Sequence, residues 1–353
     1  MALYAISKLE RKPLIVAPTV LLKNQWIENL EDLGIDRSDI ATTIYDGPNK
    51  TFCVVTISSI ENELRKDWKG LMDVIKKANY GIKITDESHL HMKGLLKFDA
   101  ICNIKRNWYL SATLGRSDEA EDRILNRALS DAERFIGDSR YEEYQDEYIN
   151  IYLQDIYYNA SRKLCEKHFK YGKKGLISAT YYRMLMDYNF GKPFYRNIIH
   201  MVKVADKIKE PGTKVLVLLP LLDAIRTVLD VMGQDPYFKQ FDIAMVDGSM
   251  SLSEKSKALE KDLILSTTAS MGTGVDVSNL GAVINFDQKS SLIIFEQIVG
   301  RLRNRGFQTY YFDICDHVKY AKAFQKWGSK RRQYLPYMPG TSRNMKRLPD
   351  IRC

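Results

Sequence analysis

"GIKITDESHL", residues 81–90, is an apolar run that ends in two acids, a serine and a histidine. The run from Gly81 to Thr85 has the length and the boundaries of a short buried strand. Asp86 and Glu87 leave it side by side. Side chains alternate along an extended chain, so the two carboxylates point in different directions. One can hold a Mg²⁺ ion through its water while the other polarises an attacking water. That division of labour suits hydrolysis of a nucleoside triphosphate. Taken alone, such a pair is more often a solvated strand end.

The surrounding sequence puts the stretch in a rhythm. "PLIVAP" (13–18) reads as a buried strand, and the next segment places Leu22, Trp26, Leu30 and Leu33 on one helical face before Gly34. "TFCVVTIS" (51–58) is rich in β-formers, and a long charged helix runs to about Asn79. "NWYLSAT" (107–113) is a further strand. Strands separated by helices predict a parallel, doubly wound α/β sheet, whose ligands sit at the carboxyl ends of the strands. "PT", "DESH" and "SAT" all fall at such ends.

The alternation resumes from about residue 196. Strands are expected at "KVLVLLP" (214–220), "FDIAMVDG" (241–248), "DLILSTT" (262–268), "GAVINFD" (281–287) and "QTYYFDIC" (308–315). The reading is two α/β domains, 1–135 and 196–318. A connector with one strand near 149–154 and the helical start of the second half lies at 136–195, and a basic tail at 319–353. Most of the tyrosines of the middle region are expected to pack. "SAT" recurs at 178–180 away from any legible strand end and receives no role.

The 353 residues are 45% hydrophobic and 27% charged, which suits a globular chain with sizeable cores. The start has no signal-peptide layout, and the five scattered cysteines form no CxxC pair, so a reducing, cytoplasmic setting without a membrane is expected. Net charge is +9, and residues 320–353 alone hold nine Lys/Arg against one acid, with Trp327, Tyr334 and Tyr337 among them. Cations interleaved with rings suit a nucleic-acid backbone, with Lys330, Arg331 and Arg332 at the centre of the cluster. A solvated tail has the same composition.

Two further segments carry chemistry. "STTASMGTGVDV" (266–277) is a strand followed by a loop in which Gly272 and Gly274 permit close approach to a ligand, and Asp276 follows. "FEQIVGRLRNRG" (295–306) puts Gln297, Gly300 and Arg301 on or beside a helix, with Arg303 and Arg305 after them. Arginine is suited to bidentate contact with phosphate.

The ordered set "VAPTVLLKNQW", "VVTISSI", "TDESH", "YLSAT", "VLVLLP", "VDGSMS", "TTASMGTGVDV" and "QIVGRLRNR" resembles superfamily 2 helicases and translocases. Among these it is most similar to the XPB/UvsW-like branch of phage and large-DNA-virus type. The resemblance implies two tandem RecA-like domains using ATP and Mg²⁺ in the cleft between them, with DNA as the partner and RNA also open. Asp86 would position Mg²⁺ and Glu87 would activate the water. His89, Ser111 and Thr113 would couple nucleotide state to motion. Pro18, Thr19, Thr56 and Thr267 or Thr268 would face the nucleic acid. Gly272, Gly274 and Asp276 would link the second domain to nucleotide and track. Gln297, Gly300 and Arg301 would reach the nucleotide, with Arg301 as an arginine finger. Asn304 stands where the family carries its last arginine, and that position's role falls to one of the flanking Arg303 and Arg305.

One part of the pattern is absent. No GxxxxGK[ST] phosphate loop occurs in the sequence. "ALYAISKLERK" reads as the helix that follows such a loop in the family. The expectation is therefore a first domain incomplete at its N-terminus, weak ATP binding by the chain alone, and a loop encoded upstream or on a separate polypeptide. Two other classes were weighed. One is a nucleic-acid-binding chain without catalysis. The other is a metal hydrolase built on Asp86, Glu87, His89, His91 and Cys102. His168, His200 and His317 have no evident partners in the sequence and are expected to be structural.

Overall fold

Pro13–Ala17 is buried at all five residues and forms β1, the middle strand of the first sheet. Such a continuous apolar run is what a strand covered on both faces requires. The computed structural model describes residues 11–88, 91–111, 148–172, 175–187, 191–271, 277–288, 292–302, 306–338, 341–342 and 345–353, together with Ile6, Arg123, Arg127 and Leu129. The chain divides into two units, Met1–Arg134 and Phe135–Cys353.

In the first unit, β1 is followed by helix α1 (Val20–Asp32), β2 (Ile40–Ala41), β3 (Phe52–Thr56), α2 (Ile57–Ala78), β4 (Ile82–Thr85), α3 (Met92–Ile101) and β5 (Asn107–Tyr109). The sheet order is β2-β3-β1-β4-β5, and every pairing is parallel. Leu14 and Val16 of β1 pack with Ile60 and Leu71 of α2 and Phe98 of α3. Ile15 faces the other way, with Ile27 and Leu30 of α1. Alternation along one strand thus serves two helical layers. The chain moves from β1 to β3 on one side and returns to β4 on the other. The order therefore reverses between β1 and β4, and a crevice at their carboxyl ends is where such sheets bind ligands.

The second unit opens with β6 (Ile149–Tyr158), α4 (Arg162–His168), a small antiparallel hairpin of β7 (Tyr171–Gly172) and β8 (Gly175–Leu176), α5 (Ser178–Leu185) and α6 (Gly191–Ile208). β9 (Lys214–Leu219), α7 (Leu222–Gln234), β10 (Ile243–Val246), α8 (Leu252–Leu259), β11 (Leu263–Thr267) and the short α9 (Thr268–Met271) follow. Then come β12 (Leu280–Asn285), α10 (Leu292–Gly300), β13 (Thr309–Val318), α11 (Lys322–Tyr334), β14 (Lys346–Arg347) and β15 (Ile351–Arg352). The large sheet runs β10-β11-β9-β12-β13-β6-β14, with β15 also on β6, all parallel.

The strand expected near 149–154 is β6, which runs on to Tyr158 and pairs with β13 along ten residues, so the middle stretch belongs to the sheet of the second unit. Tyr181 and Tyr182 of α5 and Phe194 and Ile198 of α6 are fully buried in the same core. The tail is also integral. Phe324 of α11 stacks on Tyr181 at 3.9 Å between ring centroids, and β14 and β15 extend the sheet. Among the described residues no helix is long and apolar enough to cross a membrane.

Candidate functional site

The acidic turn begins where β4 ends. Asp86 N–H donates to the carbonyl of Val16 at 3.0 Å, and Ser88 N–H donates to that of Leu110 at 3.0 Å. Leu110 N–H in turn donates to the Thr85 carbonyl at 2.8 Å. The turn is thus tied to the strands on both sides, and Ser111 is brought beside it. Glu87 has φ +43°, a left-handed conformation that costs an L-residue about 1 kcal/mol. The flanking backbone bonds hold it there.

Asp86 is oriented by two donors. Trp26 Nε1–H reaches Oδ2 at 2.9 Å, and the Glu87 amide reaches Oδ1 at 2.9 Å. Trp26 packs half-buried against the core with its helical face, as its spacing suggested, and its indole also spans 60 residues of chain to the first acid. Burial, and then the adjacent Asp86 carboxylate, push the Glu87 carboxyl up to about 7. A carboxylate near neutrality is suited to take a proton from water at working pH. His89 and Thr113 lie outside the described residues.

The residues expected to face nucleic acid share a local design. Pro18 is buried, and Thr19 after it caps α1 by accepting from Leu22 N–H at 3.2 Å. Thr56 caps α2 by accepting from Ser59 N–H at 3.3 Å. Thr267 accepts from Ser270 N–H at 3.0 Å, while the Thr268 hydroxyl donates to Asp287 at 2.6 Å. Each of the first three threonines stands at or just past the end of a strand and starts a helix, so its hydroxyl satisfies a first-turn amide.

In the second unit, Gln297 and Gly300 lie on α10 and are half-buried. Arg301 follows, and its Nη2 donates to the Met271 carbonyl at 3.4 Å. That bond puts Arg301 beside Met271 at the end of α9. Gly272, Gly274, Asp276, Arg303 and Arg305 lie outside the described residues.

The tail arginines have internal partners. Arg331 is 1% exposed and donates to Asp313 Oδ1 at 2.5 Å and to the Ile314 carbonyl at 3.0 Å. Arg332 donates to Asp313 Oδ2 at 2.8 Å and Asp155 Oδ1 at 2.7 Å. Arg347 adds a bond to Asp155 Oδ2 at 3.0 Å. Buried carboxylates on β13 and β6 require such cations, so the guanidinium groups of Arg331 and Arg332 stay with the fold. Of the three central tail cations only Lys330 is exposed. Two of the histidines expected to be structural have internal partners that the sequence did not show: His317 pairs with Asp155 at 2.7 Å and His168 with Asp187 at 2.9 Å.

Residues 196–306 match the helicase conserved C-terminal domain. The match covers about half of the second unit. Over 333 residues, 85% of this chain, the sequence is 22% identical to the transcript termination protein A18 of Yaba-like disease virus and spans 60% of that protein's length. Among solved structures, the fold matches Dbp5 of Saccharomyces cerevisiae bound to RNA and ADP–BeF₃ at TM-score 0.58, with 11% identity over 96% of this chain and 78% of that one. It matches the Hef helicase domain of Pyrococcus furiosus at TM-score 0.51, with 13% identity over 93% of this chain and 91% of that one. The two parallel-sheet units are RecA-like, a fold shared with these two structures.

Proposed function

We propose that this chain is an ATP-dependent motor on nucleic acid, a helicase or translocase whose track is DNA. The observation that carries the reading is the Asp86–Glu87 turn. One acid is fixed by an indole and an amide, while the other is held near neutral pKa at the carboxyl end of β4. Asp86 fits a Mg²⁺ ion held through water. Each of its oxygens has two lone pairs and uses one on Trp26 or Glu87, which leaves one per oxygen for a metal-bound water. Mg²⁺ would neutralise charge on the phosphates. Glu87 would accept the proton of the attacking water.

Ser111 stands beside this turn and is assigned to coupling, together with His89 and Thr113. Thr19, Thr56, Thr267 and Thr268 are assigned to the nucleic-acid face, and Lys330 adds an exposed cation. Arg301 and Gln297 are assigned to the nucleotide, with Gly272, Gly274, Asp276, Gly300, Arg303 and Arg305. With no glycine-rich phosphate loop among the 353 residues, nucleotide binding by this chain is expected to be weak.

The test is ATP turnover with Mg²⁺, without nucleic acid and with single-stranded DNA, duplex DNA or RNA, for the chain and for Glu87→Gln. Turnover stimulated by DNA and abolished in Glu87→Gln is expected. Equal turnover in both proteins overturns the assignment of Glu87. Stimulation by RNA alone overturns the choice of DNA.

A further inference from the structure

The carboxyl end of the large sheet holds a cavity of about 500 Å³, at strands that the motor reading does not use. Three parallel strands end around it. β6 contributes Tyr157, Tyr158 and Asn159 at its exit, β13 contributes His317 and Lys319, and β15 contributes Arg352 and Cys353, with Gln325 of α11 closing one side. Among the described residues no Asp or Glu side chain lines it, and the one carboxylate there is that of Cys353, an oxygen of which accepts from Asn159 N–H at 2.9 Å. Its volume falls in the range of nucleotide-sized pockets.

The wall is ordered by stacking and by a buried ion network. The Arg352 guanidinium lies 5.4 Å from the Tyr157 ring centroid, and Tyr157 stacks on His317 at 4.4 Å with planes 15° apart. His317 is anchored to Asp155, which Arg332 and Arg347 also hold. Against the upward push of burial, the His317 hydrogen bond and the Arg332 charge keep Asp155 at about 2. The same contacts argue against a metal at Asp155, Cys315 and His317. Two arginines already occupy the carboxylate, and burial pushes the Cys315 thiol up to about 12. Lys319 and Arg352 are both exposed, and neither forms an ion pair among the described residues. β15 is two residues long, and its pairing with β6 places Arg352 opposite Tyr157.

We propose that this cavity binds a phosphate-bearing nucleotide unit, with Lys319 and Arg352 holding the phosphate and the Tyr157–His317 stack forming a flat wall beside it. Two cations against that single carboxylate, itself bonded to the Asn159 amide, leave a net positive rim that suits phosphate, and arginine and aromatic faces suit a base or sugar. The source is a nucleic-acid strand. The site lies at the same sheet end as Thr268, about 19 Å away counted as four strand spacings, so a strand can cross both. The inference is independent of the hydrolysis assigned to Glu87.

The test is binding without ATP. Fluorescein-labelled dT₂₀ and rU₂₀ are titrated by anisotropy from 50 to 300 mM salt, and ADP and inorganic phosphate are titrated by calorimetry. The proteins are the full chain, Lys319→Ala, Arg352→Ala, the double variant, Arg352→Lys, and Lys261→Ala at the opposite sheet end as a control. The double variant is expected to lose about tenfold in oligonucleotide affinity at 100 mM salt and to flatten the salt slope by about 1.4, near 0.7 per cation on a single strand. Arg352→Lys is expected to keep the slope, and Lys261→Ala to match the full chain. Unchanged oligonucleotide binding with loss of ADP or phosphate binding supports the site and assigns it to free nucleotide. Unchanged binding of every probe in the double variant overturns the proposal, as does a full chain that binds none of them. Turnover lost in Glu87→Gln with these results intact leaves the two readings separable.

Discussion

The indole N–H of Trp26 donates to Oδ2 of Asp86 at 2.9 Å and joins the first helix of the chain's first unit to the acid at the end of β4. A hydrogen bond to a carboxylate from a ring packed on a helix fixes rotamer and direction together. If Asp86 holds a metal-bound water, that direction matters more than the bond's small contribution to stability. Trp26→Phe keeps most of the apolar contact and removes only the donor. It is expected to raise the Mg²⁺ concentration for half-maximal turnover by about three- to tenfold, with unfolding shifted by about 1 kcal/mol. A Mg²⁺ titration identical to that of the parent chain would remove Trp26 from the site.

The pH dependence of stability centres on Asp316, which is 1% exposed. Burial pushes its carboxyl up to about 7, against the pull of the Arg331 charge and the nearby Tyr181 hydroxyl. The folded state therefore holds this proton more tightly than the unfolded chain. Stability from the group is fully present below the unfolded value near 4 and is lost as pH rises to about 7. Three units correspond to about 4 kcal/mol as an upper bound. Asp316→Asn is expected to flatten urea-unfolding stability between pH 5 and 8 and to raise it by about 2 kcal/mol at pH 8. A parent chain whose stability does not change over that range, measured with the same denaturant, would contradict the assignment.

Arg331 separates a structural role from a binding one. Its guanidinium is enclosed with Asp313, while the neighbouring Lys330 faces solvent. Arg331→Met leaves the buried carboxylate with one cation fewer and is expected to destabilise the second unit by about 3–5 kcal/mol. Lys330→Ala is expected to stay within about 0.5 kcal/mol and to weaken oligonucleotide binding through the salt-dependent contribution alone. Chemical unfolding and anisotropy on the same samples distinguish the two. An Arg331→Met chain of parental stability would refute the buried pair as a fold determinant.

What the sequence disclosed follows from the range of each signal. The strands around "PLIVAP" and "VLVLLP" are continuous apolar runs, and a local pattern suffices to read them. β6 is harder, because "INIYLQDIYY" mixes tyrosines and polar residues. Its polar members Gln154 and Asp155 are buried because partners arrive from afar, as with Arg332 at 177 residues' separation. The tail reads as a nucleic-acid patch for the same reason. Composition counts its cations, but the carboxylates that engage Arg331 and Arg332 sit on β6 and β13. The acidic turn was legible as a strand end, whereas the Trp26 bond, 60 residues away, and the left-handed Glu87 were not.

Thr19 and Thr56 carry two readings that one substitution can separate. Each hydroxyl accepts a first-turn amide of its helix, at 3.2 Å from Leu22 and 3.3 Å from Ser59, and each is also assigned to the nucleic-acid face. Alanine removes both functions at once and is expected to cost about 1 kcal/mol of stability per site. Aspartate is as good an N-cap, and its charge is favourable at a helix start. The same charge repels a phosphate. Thr19→Asp and Thr56→Asp are therefore expected to keep stability within about 0.5 kcal/mol of the parent and to weaken oligonucleotide binding about tenfold or more at 100 mM salt. Aspartate variants that bind as tightly as the parent would confine both threonines to capping, and the track would have to run elsewhere on the first unit.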